Sequence, residues 1–332
     1  MPSTHEPLRI AFLGCGFITR VHSRNLGALG RDVVPSYASR DGAKADEYCR
    51  RYRGSGTYSD YTAALEDPGV DAVVVAVPPR FHLDLTLRAL EAGKHVLVEK
   101  PAFLRMEEYR TALDARDRAQ RVVLVGENDH YKPLAVCLRK MLAGGVIGEM
   151  VFAHFTTIAK RLKTADDWRN DESMAGGDAF FEEGIHWLHL AGSLGPKITT
   201  IHGYRPSVSR DGPDTRAKSM MVAFRYDNDA VGSLYYSREI PSLWKGLRLS
   251  KIFGREGIIT FESNGLMVAA RGRHFPQVVF PGFRDIRGYQ AMYRDFLGAI
   301  REGRAPEMSL ERAIDDQRLM DQVYASLEHT GQ

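Results

Sequence analysis

The chain has 332 residues, with 45 Lys plus Arg against 42 Asp plus Glu, so its formal net charge is +3. Hydrophobic residues make up 44% and charged residues 26%, proportions that exclude a disordered chain. At roughly 150 residues per domain the length implies about two domains, and so small a charge surplus gives no footing for a nucleic-acid or membrane partner.

From the start, short apolar runs alternate with helical patterns. Residues 8–13 (LRIAFL) read as a buried strand, Gly14 to Gly16 as a glycine turn and 17–29 as a helix. A second strand lies at 33–39. Pro35 falls inside it, and because proline cannot donate to a ladder the strand is expected to start at or after Pro35. Residues 41–51 are helical, with Asp41 as N-cap. The run 71–77 (DAVVVAV) is almost wholly apolar, as in a strand covered on both faces. A helix follows at 83–92 with Gly93 as its stop, then strands at 95–98 and 122–125. Strand–helix alternation of this kind means parallel strands with crossover helices.

Beyond about residue 127 the pattern changes. Residues 133–143 form a helix opened by proline and closed by Gly144. Strand-like runs follow at 150–157, 219–226, 230–237, 247–253, 258–262 and 266–270. Asn264-Gly265 is a two-residue hairpin signal, and Asp227-Asn228-Asp229 separates an earlier pair. Hairpin-linked strands are antiparallel, so this half is α+β. Residues 310–327 place Leu310, Ala313, Ile314, Met320, Val323 and Leu327 at helical spacing. That apolar stripe needs a partner, and the first domain is a candidate. The expected domains are 1–126 and 127–332.

Cys15, Cys49 and Cys137 are too far apart for a zinc or redox motif, and three reduced thiols are expected. No apolar run approaches the roughly 20 residues that span a bilayer. The opening MPSTHEPLR has no basic region followed by an apolar stretch, so no signal peptide is expected and the cytoplasm is the default compartment.

Gly14-Cys15-Gly16-Phe17-Ile18-Thr19 follows a predicted strand and opens a predicted helix. The first glycine allows the tight turn and the second lets backbone approach a pyrophosphate. The helix start, at Phe17 and Ile18, supplies free N–H groups and a positive dipole end. Thr19 stands where the dinucleotide fingerprint has glycine or alanine, which is expected to hold the helix slightly off the strand. Gly54-Ser55-Gly56 lacks a preceding apolar strand and reads as a loop.

NAD-binding chains carry an acid at the end of the second strand, for the ribose 2′-hydroxyl. Here that place reads Ser39-Arg40, a hydroxyl and a guanidinium suited to a 2′-phosphate. NADP(H) is therefore favoured over NAD(H). The alternative is that Asp41 supplies the acid after a shift of register.

At Pro78-Pro79-Arg80-Phe81-His82 and then at 93–101 (GKHVLVEKP) the chain resembles the Gfo/Idh/MocA family of glucose–fructose oxidoreductase and inositol dehydrogenase-like enzymes. The likeness continues through Glu127-Asn128, Pro133 and 145–149 (GVIGE), and resumes at Trp168-Arg169 and 176–186 (GGDAFFEEGIH). The resemblance implies an α/β chain: an N-terminal Rossmann parallel sheet plus a C-terminal α+β domain with a large, mostly antiparallel open sheet. It also implies hydride transfer between a nicotinamide cofactor and a sugar, polyol or related small hydroxy or carbonyl compound. Lys100, the lysine of EKP, is then expected beside nicotinamide and the reacting oxygen. The family's acid and histidine, four residues apart, fall on Glu182 and His186.

The chemistry of these side chains agrees. Histidine can take or give the hydroxyl proton near neutral pH. An ammonium can stabilise negative charge developing on oxygen. A carboxylate four residues before the histidine lies on the same helical face. Glu182 is one methylene longer than the usual aspartate, and His189 stands where the family often has a second acid.

Pro78, His82, Glu99 and Arg169 are further cofactor candidates, with packing or capping as the competing role for His82. Asn128, Trp168 and His189 are candidate substrate contacts, Trp168 competing with a core role. Phe180, Phe181 and Trp187 are expected to pack in the core. Glu182, His186 and His189 share a helical face that could hold a transition metal, but the family generally works without one, so none is expected. Two further functions fit the same fold: glycoside cleavage through transient oxidation, and non-enzymatic nucleotide sensing. A sensor has no need of Lys100 and His186. A homo-dimer or homo-tetramer is expected from the resemblance.

Overall fold

The computed structural model describes residues 6–161, 168, 171–206, 218–242, 247–273 and 276–328. The chain divides into two compact units, Met1–Glu127 with Tyr289–Ile314, and Asn128–Gly288 with Asp315–Gln332.

In the first unit, the apolar runs become β1 (Leu8–Leu13), β2 (Val33–Ala38), β3 (Thr57–Tyr58), β4 (Ala72–Val75), β5 (His95–Glu99) and β6 (Val123–Gly126). Helices α1 (Phe17–Leu26), α2 (Gly42–Tyr52), α3 (Tyr61–Glu66), α4 (His82–Glu91) and α5 (Met106–Ala119) alternate with them. The strands form one parallel sheet in the order β3-β2-β1-β4-β5-β6. Every residue of β4 is buried, as its unbroken apolar run requires. Asp41 caps α2, its carboxylate accepting from the Lys44 N–H. Gly93, at φ +72°, follows α4.

Pro35 does not delay β2. The strand starts at Val33, and Pro35 stands opposite Ile10 of β1. Its carbonyl accepts from Ser55 N–H at 2.8 Å, on the side away from β1. The outer strand β3 pairs only with Tyr37 and Ala38, so no ladder bond is asked of the proline nitrogen.

The second unit holds α6 (Pro133–Ala143), β7 (Met150–Ile158), α7 (Glu172–Ala175), α8 (Ala179–Gly192) and β8 (Ile198–Tyr204). Six more strands complete its sheet: β9 (Ser219–Tyr226), β10 (Val231–Ser237), β11 (Leu249–Gly254), β12 (Gly257–Glu262), β13 (Val268–Arg271) and β14 (Gln277–Val279). Their order is β14-β13-β12-β11-β7-β10-β9-β8, antiparallel except where β7 meets β10. Side chains alternate across it. Phe155, Val222, Phe224, Leu234 and Tyr236 lie in the core, while Phe152 and Tyr235 are exposed.

Asn264-Gly265 does lie in a hairpin, but not as a two-residue turn. Phe261 pairs with Val268, and the Glu262 carboxylate closes a longer loop by accepting from the N–H groups of Asn264 and Leu266. Strands β8 and β14 lie where no strand is read from the sequence. So does α9 (Tyr289–Glu302), which belongs to the first unit. The last helix, α10 (Leu310–Glu328), follows the predicted periodicity.

Candidate active site

In a parallel sheet the carboxyl ends of all strands lie along one edge, where such folds bind nucleotides. That edge carries Gly14 to Gly16 after β1, Ser39 and Arg40 after β2, and Lys100 after β5. Gly14 has φ +109°, and a Cβ there would come within 2.6 Å of the Ala76 carbonyl oxygen, so both its conformation and its packing demand glycine. Gly16 is the opposite case. A Cβ there would meet nothing within 4 Å, and no side chain caps α1. An open cradle in front of unpartnered helix N–H groups fits a pyrophosphate. Phe17 is exposed and Ile18 half-buried at this helix start. The buried Thr19 hydroxyl donates to the Gly14 carbonyl at 2.7 Å and ties α1 to the turn. Burial pushes the Cys15 thiol up to about 12, which keeps it protonated and unreactive.

Ser39 directly follows β2 and is buried, its hydroxyl accepting from the Asp41 N–H at 3.1 Å. Arg40 is exposed, and its charge acts on the neighbouring Tyr61 phenol. The Asp41 carboxylate is occupied as the cap of α2 and lies 3.6 Å from the Lys44 ammonium.

In the second unit, both ends of α8 are fixed to the sheet. The Tyr236 hydroxyl donates to the Ala179 carbonyl at 2.9 Å, and the Tyr226 hydroxyl to the Ala191 carbonyl at 3.1 Å. Asp178 caps the helix by accepting from the Phe180 and Phe181 N–H groups, and also accepts from Arg205 and Tyr324. Phe180, Phe181 and Trp187 are buried, as expected of core residues. Within α8, only Glu182, Glu183, His186 and the terminal Gly192 escape burial. A helix hydrophobic on all other sides thus presents one polar stripe of two carboxylates and an imidazole. Glu183 is held by Arg161 at 2.9 Å and by the Tyr236 hydroxyl at 3.0 Å.

Residues 8–127 match the oxidoreductase family with an NAD-binding Rossmann fold, and residues 136–260 match the GFO/IDH/MocA C-terminal domain. The chain belongs to the Gfo/Idh/MocA oxidoreductase family. Levoglucosan dehydrogenase from Pseudarthrobacter phenanthrenivorans is 24% identical to it, over 95% of this chain and 87% of the relative. A scyllo-inositol 2-dehydrogenase (NAD(+)) from Bacillus subtilis is 26% identical, over 90% and 88%. A solved structure of levoglucosan dehydrogenase in complex with NADH and levoglucosan shares the fold, with a TM-score of 0.86 at 22% identity, covering 97% of this chain and 98% of that one.

The remaining candidate residues of this family member have the following surroundings. His82 is 1% exposed, with Nε2 2.8 Å from the Val77 carbonyl and Nδ1 3.0 Å from that of Ala102. Burial pushes its pKa down. Its two ring nitrogens face backbone carbonyls of the loop after β4 and the loop after β5, and the neutral ring donates to one of them. Glu99 is buried as well, against His22 at 2.7 Å rather than at the open edge. Asn128 is buried, its amide donating to the Arg287 carbonyl at 2.7 Å and to Asp129. His189 is 2% exposed and lies between Asp316 at 2.8 Å and His130 at 2.9 Å. Pro78 caps the short turn of helix at Pro79–Phe81. Trp168 is half-buried, and Arg169 lies outside the described residues. No described helix is long and apolar enough to cross a membrane.

Proposed function

We propose that the protein is an NADP(H)-dependent oxidoreductase acting on a hydroxyl-bearing carbon, or the matching carbonyl, of a sugar, polyol or related small compound. The observation that carries this reading is the polar stripe of α8, a carboxylate one turn before an imidazole on a helix otherwise buried. The relatives named for levoglucosan and scyllo-inositol support the substrate class. Their names and complexes mention NAD(+) and NADH, so the preference for NADP(H) rests on Ser39 and Arg40 alone.

When bound, the nicotinamide cofactor supplies the hydride acceptor or donor. Gly16, Phe17 and Ile18 receive its pyrophosphate. Ser39 and the Arg40 guanidinium receive the 2′-phosphate. His186 takes the hydroxyl proton as the alcohol is oxidised and returns it in the reverse direction. The Lys100 ammonium stabilises the charge that develops on that oxygen. Glu182 accepts a hydrogen bond from a second substrate hydroxyl. Arg169, for the cofactor, and Trp168, for the substrate, are further candidate contacts.

The test has two stages. Thermal shifts with NADPH and NADH report which nucleotide binds. A panel of sugars, polyols and aldehydes, including levoglucosan and scyllo-inositol, is then followed by NADPH absorbance. Lys100→Met and His186→Ala should abolish turnover while NADPH still binds; wild-type turnover in both would sink the assignment. Cleavage of a chromogenic glycoside without net NADPH change would move the protein to the glycoside-cleaving class. We place the protein in the cytoplasm, as a dimer or tetramer formed through the sheet face that exposes Phe152, Tyr235 and Leu249. A monomer by light scattering would overturn the latter.

A further inference from the structure

Three arginines of the second unit gather on the α8 side of its sheet. Arg238 follows β10, two residues beyond Tyr236, whose hydroxyl reaches the Ala179 carbonyl and the Glu183 carboxylate of α8. Strand pairing continues through Arg238. Its N–H donates to the Lys218 carbonyl at 3.0 Å, and its carbonyl accepts from the Arg161 N–H at 2.8 Å. Residues two apart on a strand share a face, so Arg238 shares that of Tyr236. Arg161, in the continuation of β7, puts its guanidinium 2.9 Å from the Glu183 carboxylate. Arg248, just before β11, donates to the Thr157 hydroxyl of β7 at 2.9 Å and to the side-chain oxygen of Asn264.

The three cations and Glu183 act on common neighbours. Burial and the Glu183 charge push the Tyr236 phenol up, against the charges of Arg238 and Arg161. Burial and the Arg161 charge disfavour the Arg248 cation, while Glu262, Glu183 and Asp129 favour it. Each of those carboxylates is already engaged. Glu183 is bound to Arg161 and Tyr236, Glu262 to the N–H groups of Asn264 and Leu266, and Asp129 to the Lys132 ammonium at 2.6 Å.

Arg238 is 7% exposed, and among the described residues its guanidinium makes no hydrogen bond or ion pair. A guanidinium does not give up its proton, and a buried charge without a partner is costly. With its backbone bonded on both sides, Arg238 is held in this place. Its nitrogens are nonetheless not closed off from solvent, so the charged end is the part a ligand can reach.

We propose that Arg238, flanked by Arg161 and Arg248, is an anion-binding subsite of the substrate site, and that the substrate carries a carboxylate, as sugar acids and glycosides of uronic acids do. One guanidinium without a carboxylate calls for one negative charge, and its fork of donors matches the two oxygens of a carboxylate. Glu183, which the cluster surrounds, is one helical turn before His186, so the subsite lies beside the proposed base. The inference rests on the function proposed above, whose substrate it makes an acid.

The test is calorimetric titration of the full-length protein in the presence of NADPH, with acids against their neutral counterparts. The pairs are gluconate and sorbitol, galactonate and galactitol, and methyl glucuronide and methyl glucoside. In at least one pair the acid should bind about tenfold tighter, the size of a charged hydrogen bond, and Arg238→Met should abolish that difference. A purely structural arginine lowers Tm when it is removed. Arg238→Met instead removes a desolvated charge with no partner, so the variant without ligand should melt no lower than wild type. Neutral ligands binding as well as acids in every pair, an acid preference that survives Arg238→Met, or a variant that melts lower or does not fold would each overturn the inference. Turnover of neutral sugars without any acid preference would sink the subsite and leave the proposed function standing. Acid binding lost in Arg238→Met, with no hydride transfer to or from any compound, would do the reverse.

Discussion

His189 and Asp316 lie 127 residues apart in the chain and meet in the second unit, Nδ1 to Oδ2 at 2.8 Å. Both side chains are buried, and His130 stands against the other nitrogen of the ring at 2.9 Å. The pair joins α8 to α10 one helical turn beyond the proposed base, His186. Removing one member of such a pair leaves the other buried without its partner, at a cost of about 3 kcal/mol. Asp316→Ala should therefore lower Tm by roughly 5–10 °C. Asp316→Asn keeps an acceptor for the ring and should lose less. Equal melting of wild type and Asp316→Ala would show that the contact contributes nothing.

Gly14 and Gly16 separate folding from binding. Alanine at Gly14 would require φ +109° and a clash with the Ala76 carbonyl. Gly14→Ala is expected to destabilise the first unit by about 2 kcal/mol or more. Alanine at Gly16 has room in the protein, and the space it fills is the one assigned to the pyrophosphate. Gly16→Ala should melt like wild type without nucleotide and lose at least tenfold in NADPH affinity. Undiminished NADPH binding by fluorescence titration in Gly16→Ala would remove the pyrophosphate from this cradle.

Local pattern makes much of 8–126 legible, because each strand, turn and helix read there is a contiguous segment whose caps and stops are written beside it, whereas β3 and α9 of the same unit are not read. Asp41 and Gly93 are such signals. Pro35 misleads because its effect depends on which neighbour lies on its nitrogen side, and that neighbour is the two-residue strand β3. In the second unit Asn264-Gly265 is a short-range signal, while the turn answers to the Glu262 carboxylate. The polar stripe of α8 is partly visible, since Glu182 and His186 are one turn apart. The partners that decide Glu99 and His189 are not. His22 is far in sequence from Glu99, and Asp316 is as invisible from His189, because spacing along a chain carries no record of such pairs.

His95 gives the first unit a dependence on pH. Its Nδ1 accepts from the Val122 N–H at 2.9 Å, which only an unprotonated nitrogen can do. Burial, together with the Arg121 charge and against that of Asp71, takes its pKa down from the usual 6.5 to about 4. The unfolded chain therefore binds a proton that the folded chain refuses between these values. Stability from this residue is full above about 6.5 and is lost as the pH falls toward about 4. His82 is lowered by burial and acts with the same sign. His95→Gln offers a neutral acceptor and should lose less stability than wild type between pH 7.5 and 5.0 in urea unfolding. The same loss in both proteins would exclude His95 as a source of the acid sensitivity.

The proposed preference for NADP(H) turns on the three residues just past β2. Ser39 is the first residue beyond the strand, and Arg40 is exposed beside it. Asp41, the only acid of that stretch, is occupied as the α2 cap. In the proposed binding mode a 2′-phosphate meets the Arg40 guanidinium with its fork of donors. Ser39→Asp with Arg40→Ala supplies the acid and removes the cation, and should turn a preference for NADPH into one for NADH. Each change is expected to move the ratio of affinities by about tenfold, the size of a charged hydrogen bond gained or lost. Ser39 also accepts from the Asp41 N–H, and aspartate can keep that bond, so the cap of α2 should survive the exchange. Titration of both nucleotides into wild type and double variant decides it: an unchanged ratio would mean that the 2′ position is read elsewhere.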